Sequence, residues 1–270
     1  LKCCLCGKKN LRKYEIINAI QVHKCRHCEL LQTARKTNDQ VNDSTATKSI
    51  RQDIFRKTSK KDMKINSKFR KLPVSLRSSM HIINEDSNRI CRQLKKIIKN
   101  FFPKNKKIKF INIGSGYGHV DLLLKKNLPQ MDMHLLEISE EKMEIGRKTF
   151  KHDEKKFTFH LNLLDKNFAK KNYAKFDIAF SFHVLEHVSN IIDFIKNIFK
   201  IIKKGGIIII EVPNEDDNLL HLSDQYEKHV HVAPHISYFT KKTLLRLFVK
   251  AAIYDKAKVD FIGVQRYGFF

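Results

Sequence analysis

The stretch Ile108-Lys109-Phe110-Ile111-Asn112-Ile113-Gly114-Ser115-Gly116-Tyr117-Gly118 decides the fold. A short β-branched and aromatic run passes straight into three alternating glycines, and apolar residues then recur at helical spacing from His119 to Asn127. Strand, tight turn, helix is the opening of a βαβ unit, where glycines let the backbone approach a ligand and the helix offers its N-terminal amides. Outward from this turn the alternation continues. Strands are predicted over 108–113, 134–138, 157–161, 176–181 and 207–212, with helices over 118–127, 139–150 and 190–202. Short apolar strands separated by helices make a parallel sheet covered on both faces, an α/β architecture. A helix is also predicted from Ile82 to Phe102, ended by Pro103, and another over 241–251.

The glycine turn narrows the ligand. In a dinucleotide fingerprint the third glycine would stand at position 119, where this chain has His119. No Gly-Lys-Ser/Thr follows, which excludes a Walker A phosphate loop. Glu137 closes the next strand, twenty-three residues after Gly114. A carboxylate there can accept hydrogen bonds from both hydroxyls of a ribose.

Four blocks together carry a resemblance: Phe110 to Gly118; Glu137; Phe176-Asp-Ile-Ala-Phe-Ser181-Phe-His183-Val-Leu-Glu186-His187-Val188; and Gly205-Gly206 leading to Pro213-Asn214. Their order and spacing over about 82–262 resemble class I S-adenosylmethionine-dependent methyltransferases, which implies a Rossmann-like sheet. By that resemblance Gly114, Ser115, Gly116, Tyr117 and Gly118 face the methionine end of the cofactor and Glu137 holds the ribose. Asn162 would lie by the adenine, where the family commonly has an acidic residue. Ser181 and His183 would line the pocket.

Ahead of this block, Cys3-x-x-Cys6 and Cys25-x-x-Cys28 are separated by 18 residues. Two such pairs close a tetrahedral thiolate site around zinc, and Gly7 permits the tight turn beside the first. Four thiolates leave no open position, so the Zn2+ is read as structural, in a small zinc-ribbon-like module. Cys4 is a spare, and Cys91 falls on a predicted helix as a core residue.

The histidines gather where an open α/β sheet binds its ligands, beyond the carboxyl ends of the strands. His183 and His187 flank Glu186, and His221, His229, His231 and His235 follow Pro213-Asn214. Methyl transfer to a hydroxyl or a protonated amine needs a proton acceptor, and His183 and His235 are the candidate catalytic residues. Glu186 is read as an anchor for its loop. His229-x-His231-x-x-x-His235 also has donor types suited to a second metal.

The chain has 270 residues with a net charge of +25. Residues 1–109 hold +21 of this and 110–270 only +4. This division agrees with three expected segments: a zinc-binding knuckle over 1–34, a basic linker or lid over 35–81, and the methyltransferase domain over 82–270. No apolar run approaches membrane-spanning length, the N-terminus lacks a signal-peptide pattern, and six cysteines without secretory context point to the cytoplasm. The tail His235-Ile-Ser-Tyr-Phe239-Thr240 and Val264-Gln265-Arg266-Tyr267 resembles methyltransferases of sugar, polysaccharide and secondary-metabolite pathways. That implies a small acceptor; the chain stops at Phe270 without the further domain usual in zinc-containing sugar C-methyltransferases, which favours O- or N-methylation, and a basic lid suits a phosphorylated or nucleotide-linked substrate. The basic N-terminal half favours the alternative, a ribosomal or transfer RNA methyltransferase with a zinc ribbon, and a non-catalytic cofactor-binding module is a third reading.

Overall fold

The computed structural model describes residues 1–17, 20–33, 74–103, 106–150, 155–223, 226–227, 230–231, 235–251 and 257–263. The greater part of the basic linker or lid, 34–73, lies outside the described residues, as do His229 and the tail from Val264. Two compact units form: Leu1–Val41 with Leu163–Gly263, and Asn42–Asn162 with Val264–Phe270. Among the described residues, no helix is long and apolar enough to cross a membrane.

The first unit opens with an antiparallel ribbon, β1 (Leu11–Ile17), β2 (Ile20–Cys25) and β3 (Leu31–Thr33). The second unit begins with α1 (Val74–Phe101), which starts eight residues before the predicted helix, just after Pro73, a residue that favours a helix start. Cys91 is buried on this helix, as expected of a core thiol. Then β4 (Lys109–Ile113), α2 (His119–Asn127), β5 (Asp132–Glu137), α3 (Glu140–Phe150) and β6 (Phe157–Leu161) follow the predicted alternation. β4 pairs with β5 and β5 with β6, both parallel, aligning Phe110 with Met133 and Met133 with Phe157.

The chain then returns to the first unit with α4 (Lys166–Lys171), β7 (Phe176–Phe182), α5 (Ile191–Ile201) and β8 (Ile202–Glu211). β7 and β8 are parallel. β8 begins five residues earlier than predicted, running through Gly205-Gly206. Gly206 is required there, because a Cβ would lie 2.8 Å from the carbonyl oxygen of Asp177. A short helix α6 (Leu219–Leu222), strand β9 (Ser237–Tyr238) and α7 (Lys241–Lys250) complete the unit. Thr240 caps α7, its hydroxyl accepting from Thr243 N at 3.1 Å. β9 was not foreseen; it adds to the ribbon by pairing with β3.

In the first turn of α2, Asp121 is fully buried and accepts 2.8 Å from Asn112 Nδ2. Burial raises its pKa to about 7, against the pull of that hydrogen bond. The fold therefore favours the protonated acid. Its contribution to stability is full below about pH 4 and is lost as pH rises through about 7. Asp121→Asn should flatten this loss: between pH 4 and 7, the variant's urea-unfolding free energy should fall less than that of the parent chain. Parallel pH profiles would remove Asp121 as the cause.

Candidate active site and metal centre

The four predicted thiols meet. Cys3 Sγ lies 3.4 Å from Cys28 Sγ and Cys6 Sγ lies 3.6 Å from Cys25 Sγ, and all four lie within 4.8 Å of one another. Zn–S bonds of about 2.3 Å in a tetrahedron place sulfurs about 3.8 Å apart, so the set fits zinc after small adjustments. Two matching knuckles build it. Gly7 N donates to Cys3 O and Glu29 N to Cys25 O, each at 2.9 Å. Both turns need positive φ, 75° at Gly7 and 66° at Glu29. Glu29 lacks glycine's freedom, and Lys242 and Arg246 of α7 hold its carboxylate at 2.6 and 2.9 Å, while Arg246 also donates to Cys28 O. The Cys3 thiol is pulled down to about 5, chiefly by Cys28, whose own thiol is pushed up by that bond. Cys4 lies apart from this set: its sulfur faces Ser237 Oγ at 3.4 Å, and burial drives it up to about 12.

In the second unit the glycine turn closes on Glu137. Oε2 accepts from Gly116 N at 2.8 Å, and Oε1 accepts from Ile138 N and Ser139 N at 2.9 and 3.0 Å. Three backbone donors thus fix a buried carboxylate against the loop. The early third glycine has its own reason. Gly118 has φ 72°, and a Cβ there would lie 2.5 Å from the Phe150 ring. Asn162 is exposed and its N donates to Glu137 O, so it stands at the end of the neighbouring strand. Ile138 and Leu161 are 68% and 49% exposed, apolar surfaces that the sequence reading did not single out. Their only signal was position, beside Glu137 and Asn162.

In the first unit, Ser181 is buried with an Oγ that makes no hydrogen bond. His183 ends β7 at φ 51°, a strained left-handed backbone for a side-chain-bearing residue. Its Nδ1 lies 2.9 Å from Oε1 of the buried Glu186. Leu185–His187 form a 3-10 turn, and Ile236 N donates to Glu186 O at 2.7 Å. His235 stacks edge-on against His187 with ring centroids 4.8 Å apart. Burial lowers its pKa to about 3, with His187, His183 and His231 adding to the effect, so a proton on this ring is held weakly. His231 contacts Glu215 Oε2 at 2.8 Å and Glu227 Oε1 at 3.6 Å. Burial lowers its pKa, but the two carboxylates outweigh that and leave it raised. His229 of the His229-x-His231-x-x-x-His235 pattern lies outside the described residues. Among the described residues, Glu186, His187 and His235 converge.

A family profile described as a methyltransferase domain matches residues 85–252, more than half of the chain. The chain belongs to this methyltransferase domain family. No curated protein matches the sequence. Solved structures with a similar fold include the CurJ carbon methyltransferase, at 12% identity and TM-score 0.48, over 61% of this chain and 46% of that one. The carbon methyltransferase domain of the citrinin polyketide synthase is 13% identical, TM-score 0.49, over 61% and 45%. A methyltransferase from Bacillus halodurans is 15% identical, TM-score 0.47, over 58% and 67%. The chain spans under half the length of the first two.

The methyltransferase domain begins well after the cysteine ribbon, so the thiolate site stands on its own geometry. Cobalt-exchanged protein should show thiolate-to-metal charge-transfer absorption, and Cys25→Ser should abolish it together with bound zinc. Retention of both in a Cys25→Ser, Cys28→Ser double variant would place the ligands elsewhere.

Proposed function

We propose that this chain transfers the methyl group of S-adenosylmethionine to oxygen or nitrogen of a small acceptor, a sugar, polysaccharide precursor or phosphorylated metabolite. The observation that carries this reading is the Glu137 carboxylate held against the glycine turn by Gly116 N at 2.8 Å. A carboxylate has about four lone-pair sites and three are engaged here, so a ribose hydroxyl can still donate to it. Glycine-loop amides would face the methionine end, and the exposed Ile138 and Leu161 would flank the adenine beside Asn162.

The bound cofactor would supply an electrophilic methyl on a sulfonium. An oxygen or nitrogen acceptor taking that methyl would have to be aligned with it and would pass its own proton to a base. His183 suits this last role. With the Nδ1 proton facing Glu186, 2.9 Å away, Nε2 would carry the lone pair and the carboxylate would stabilise the cation formed. His235, lowered to about 3 by burial, is a weak base. Its part would be to shape the acceptor side. Six unpaired cysteines support a reducing, cytoplasmic setting, and zinc in the ribbon would be structural.

Glu137→Ala should weaken S-adenosylmethionine binding by roughly 1–3 kcal/mol through loss of charge-assisted hydrogen bonds. Calorimetry on folded protein checks this, and unchanged affinity would remove Glu137 from the site.

The +21 charge of residues 1–109 favours the RNA alternative, and the two readings separate cleanly. Given a labelled methyl donor, the protein should methylate a metabolite pool and leave RNA unlabelled. RNA binding itself should be weak and fall about a thousandfold between 50 and 200 mM salt. Label in RNA at near-physiological salt, with none in metabolites, would reverse the choice.

A further inference from the structure

Apart from the four thiolates, one set of metal-binding side chains converges among the described residues. Glu186, His187 and His235 bring their ligand atoms within 4.8 Å of one another. We propose that these three bind a single first-row divalent cation, such as Mn2+, Fe2+, Co2+ or Zn2+, with coordination positions left open for oxygen ligands.

The spacing carries the first step. Metal–ligand bonds of about 2.0–2.2 Å put neighbouring donors about 3.0–3.6 Å apart and opposed ones about 4.2 Å apart. His235 Nε2 and Glu186 Oε1 are separated by 4.0 Å, inside that span and too far for a hydrogen bond. The two groups approach each other without bonding, as ligands around a common centre do. The His235 ring is buried, and the backbone of Val230 is a hydrogen-bond partner to it. A backbone hydrogen bond on one side of an imidazole fixes the ring in place, as the outer partners of metal-binding histidines do.

The arms are also set in place before any ion arrives. The 3-10 turn Leu185–His187 carries two of the ligands, and the segment with the third is tied to it by Ile236 N donating to Glu186 O at 2.7 Å. His183 Nδ1 lies 2.9 Å from Glu186 Oε1 and fixes the direction of the side chain, as outer contacts do for metal-binding groups. His231 is occupied by Glu215 and Glu227 and stays out of the set.

Donor chemistry selects the ion. Two imidazoles with one carboxylate suit borderline first-row metals, whereas Mg2+ and Ca2+ require mostly oxygen. Three protein ligands leave positions vacant, unlike the four thiolates of the ribbon. This inference does not depend on methyl transfer.

The test is Mn2+ titration, followed by electron paramagnetic resonance, of full-length protein holding a single equivalent of zinc, which the four thiolates take in preference to an N/O site; thiolates disfavour Mn2+ and an N/O site accepts it. About one Mn2+ per chain should bind, and His187→Ala and His235→Ala should each weaken binding at least tenfold, by analogy with the loss on removing supporting groups. The thiolate charge-transfer band of cobalt-exchanged protein should survive both changes. No Mn2+ binding by the parent chain, or unchanged binding in the folded variants, overturns the proposal. If a variant fails to fold, the parent chain decides: Mn2+ must broaden the ring resonances of His187 and His235 before those of the exposed His27. Broadening at His27 first, or nowhere, overturns it equally.

Discussion

Backbone pairing between β3 and β9 is the constraint on which the first unit depends. Leu31 pairs with Tyr238 and Gln32 with Ser237, and Thr33 N donates to Ile236 O at 2.9 Å. The next link runs from Ile236 N to Glu186 O. A continuous backbone path therefore joins the cysteine knuckles, through β3, to the segment carrying His235 and on to the turn carrying Glu186 and His187. The ribbon has little apolar core of its own: Val22 and Leu31 share a buried cluster with Tyr238 of β9. A thiolate-bound metal would hold the free end of this path, in place of the hydrophobic burial that so small a ribbon cannot supply.

A different constraint governs the second unit. A charged carboxylate is costly to bury unless its oxygens are hydrogen-bonded, and Glu137 meets that cost with three backbone N–H groups. Two of those donors, Ile138 N and Ser139 N, follow Glu137 in the chain, and the third, Gly116 N, comes from a loop that turns at Gly116 and Gly118 with φ of 56° and 72°. Gly118 at the same time admits the Phe150 ring, so the turn is shaped by packing behind it as much as by any ligand ahead of it.

What was legible follows from the range of the forces involved. Hydrophobic period located β4 to β7 because each strand's apolar residues are its own, and β6 matches its predicted bounds; the apolar run of β8 also marked a strand, although its isoleucines are only half-buried. The thiolate set was legible because a C-x-x-C knuckle is a local turn. β9 was illegible: two residues have no period, and Ser237–Tyr238 pair only because β3 arrives from some 200 positions earlier. The same reason hid the start of β8. The predicted strand began only after Gly205-Gly206, yet β8 crosses them, with a register shift between Phe176 and Ile178 in its partner β7.

His231 and His235 show the limit most sharply. They share a residue type, lie four positions apart and are both buried, yet their proton affinities move in opposite directions. Burial penalises the imidazolium at both. At His231, Glu215 and Glu227 outweigh the penalty. At His235 the nearest carboxylate is 4.0 Å away and already contacts His183, while His187, His183 and His231 add positive repulsion. A protonated His231 therefore helps keep His235 neutral, and a neutral imidazole is the form that offers a lone pair. A pattern of histidines in sequence cannot express this division, because the partners that decide it, Glu186 and Glu215, come from other segments brought in by the fold.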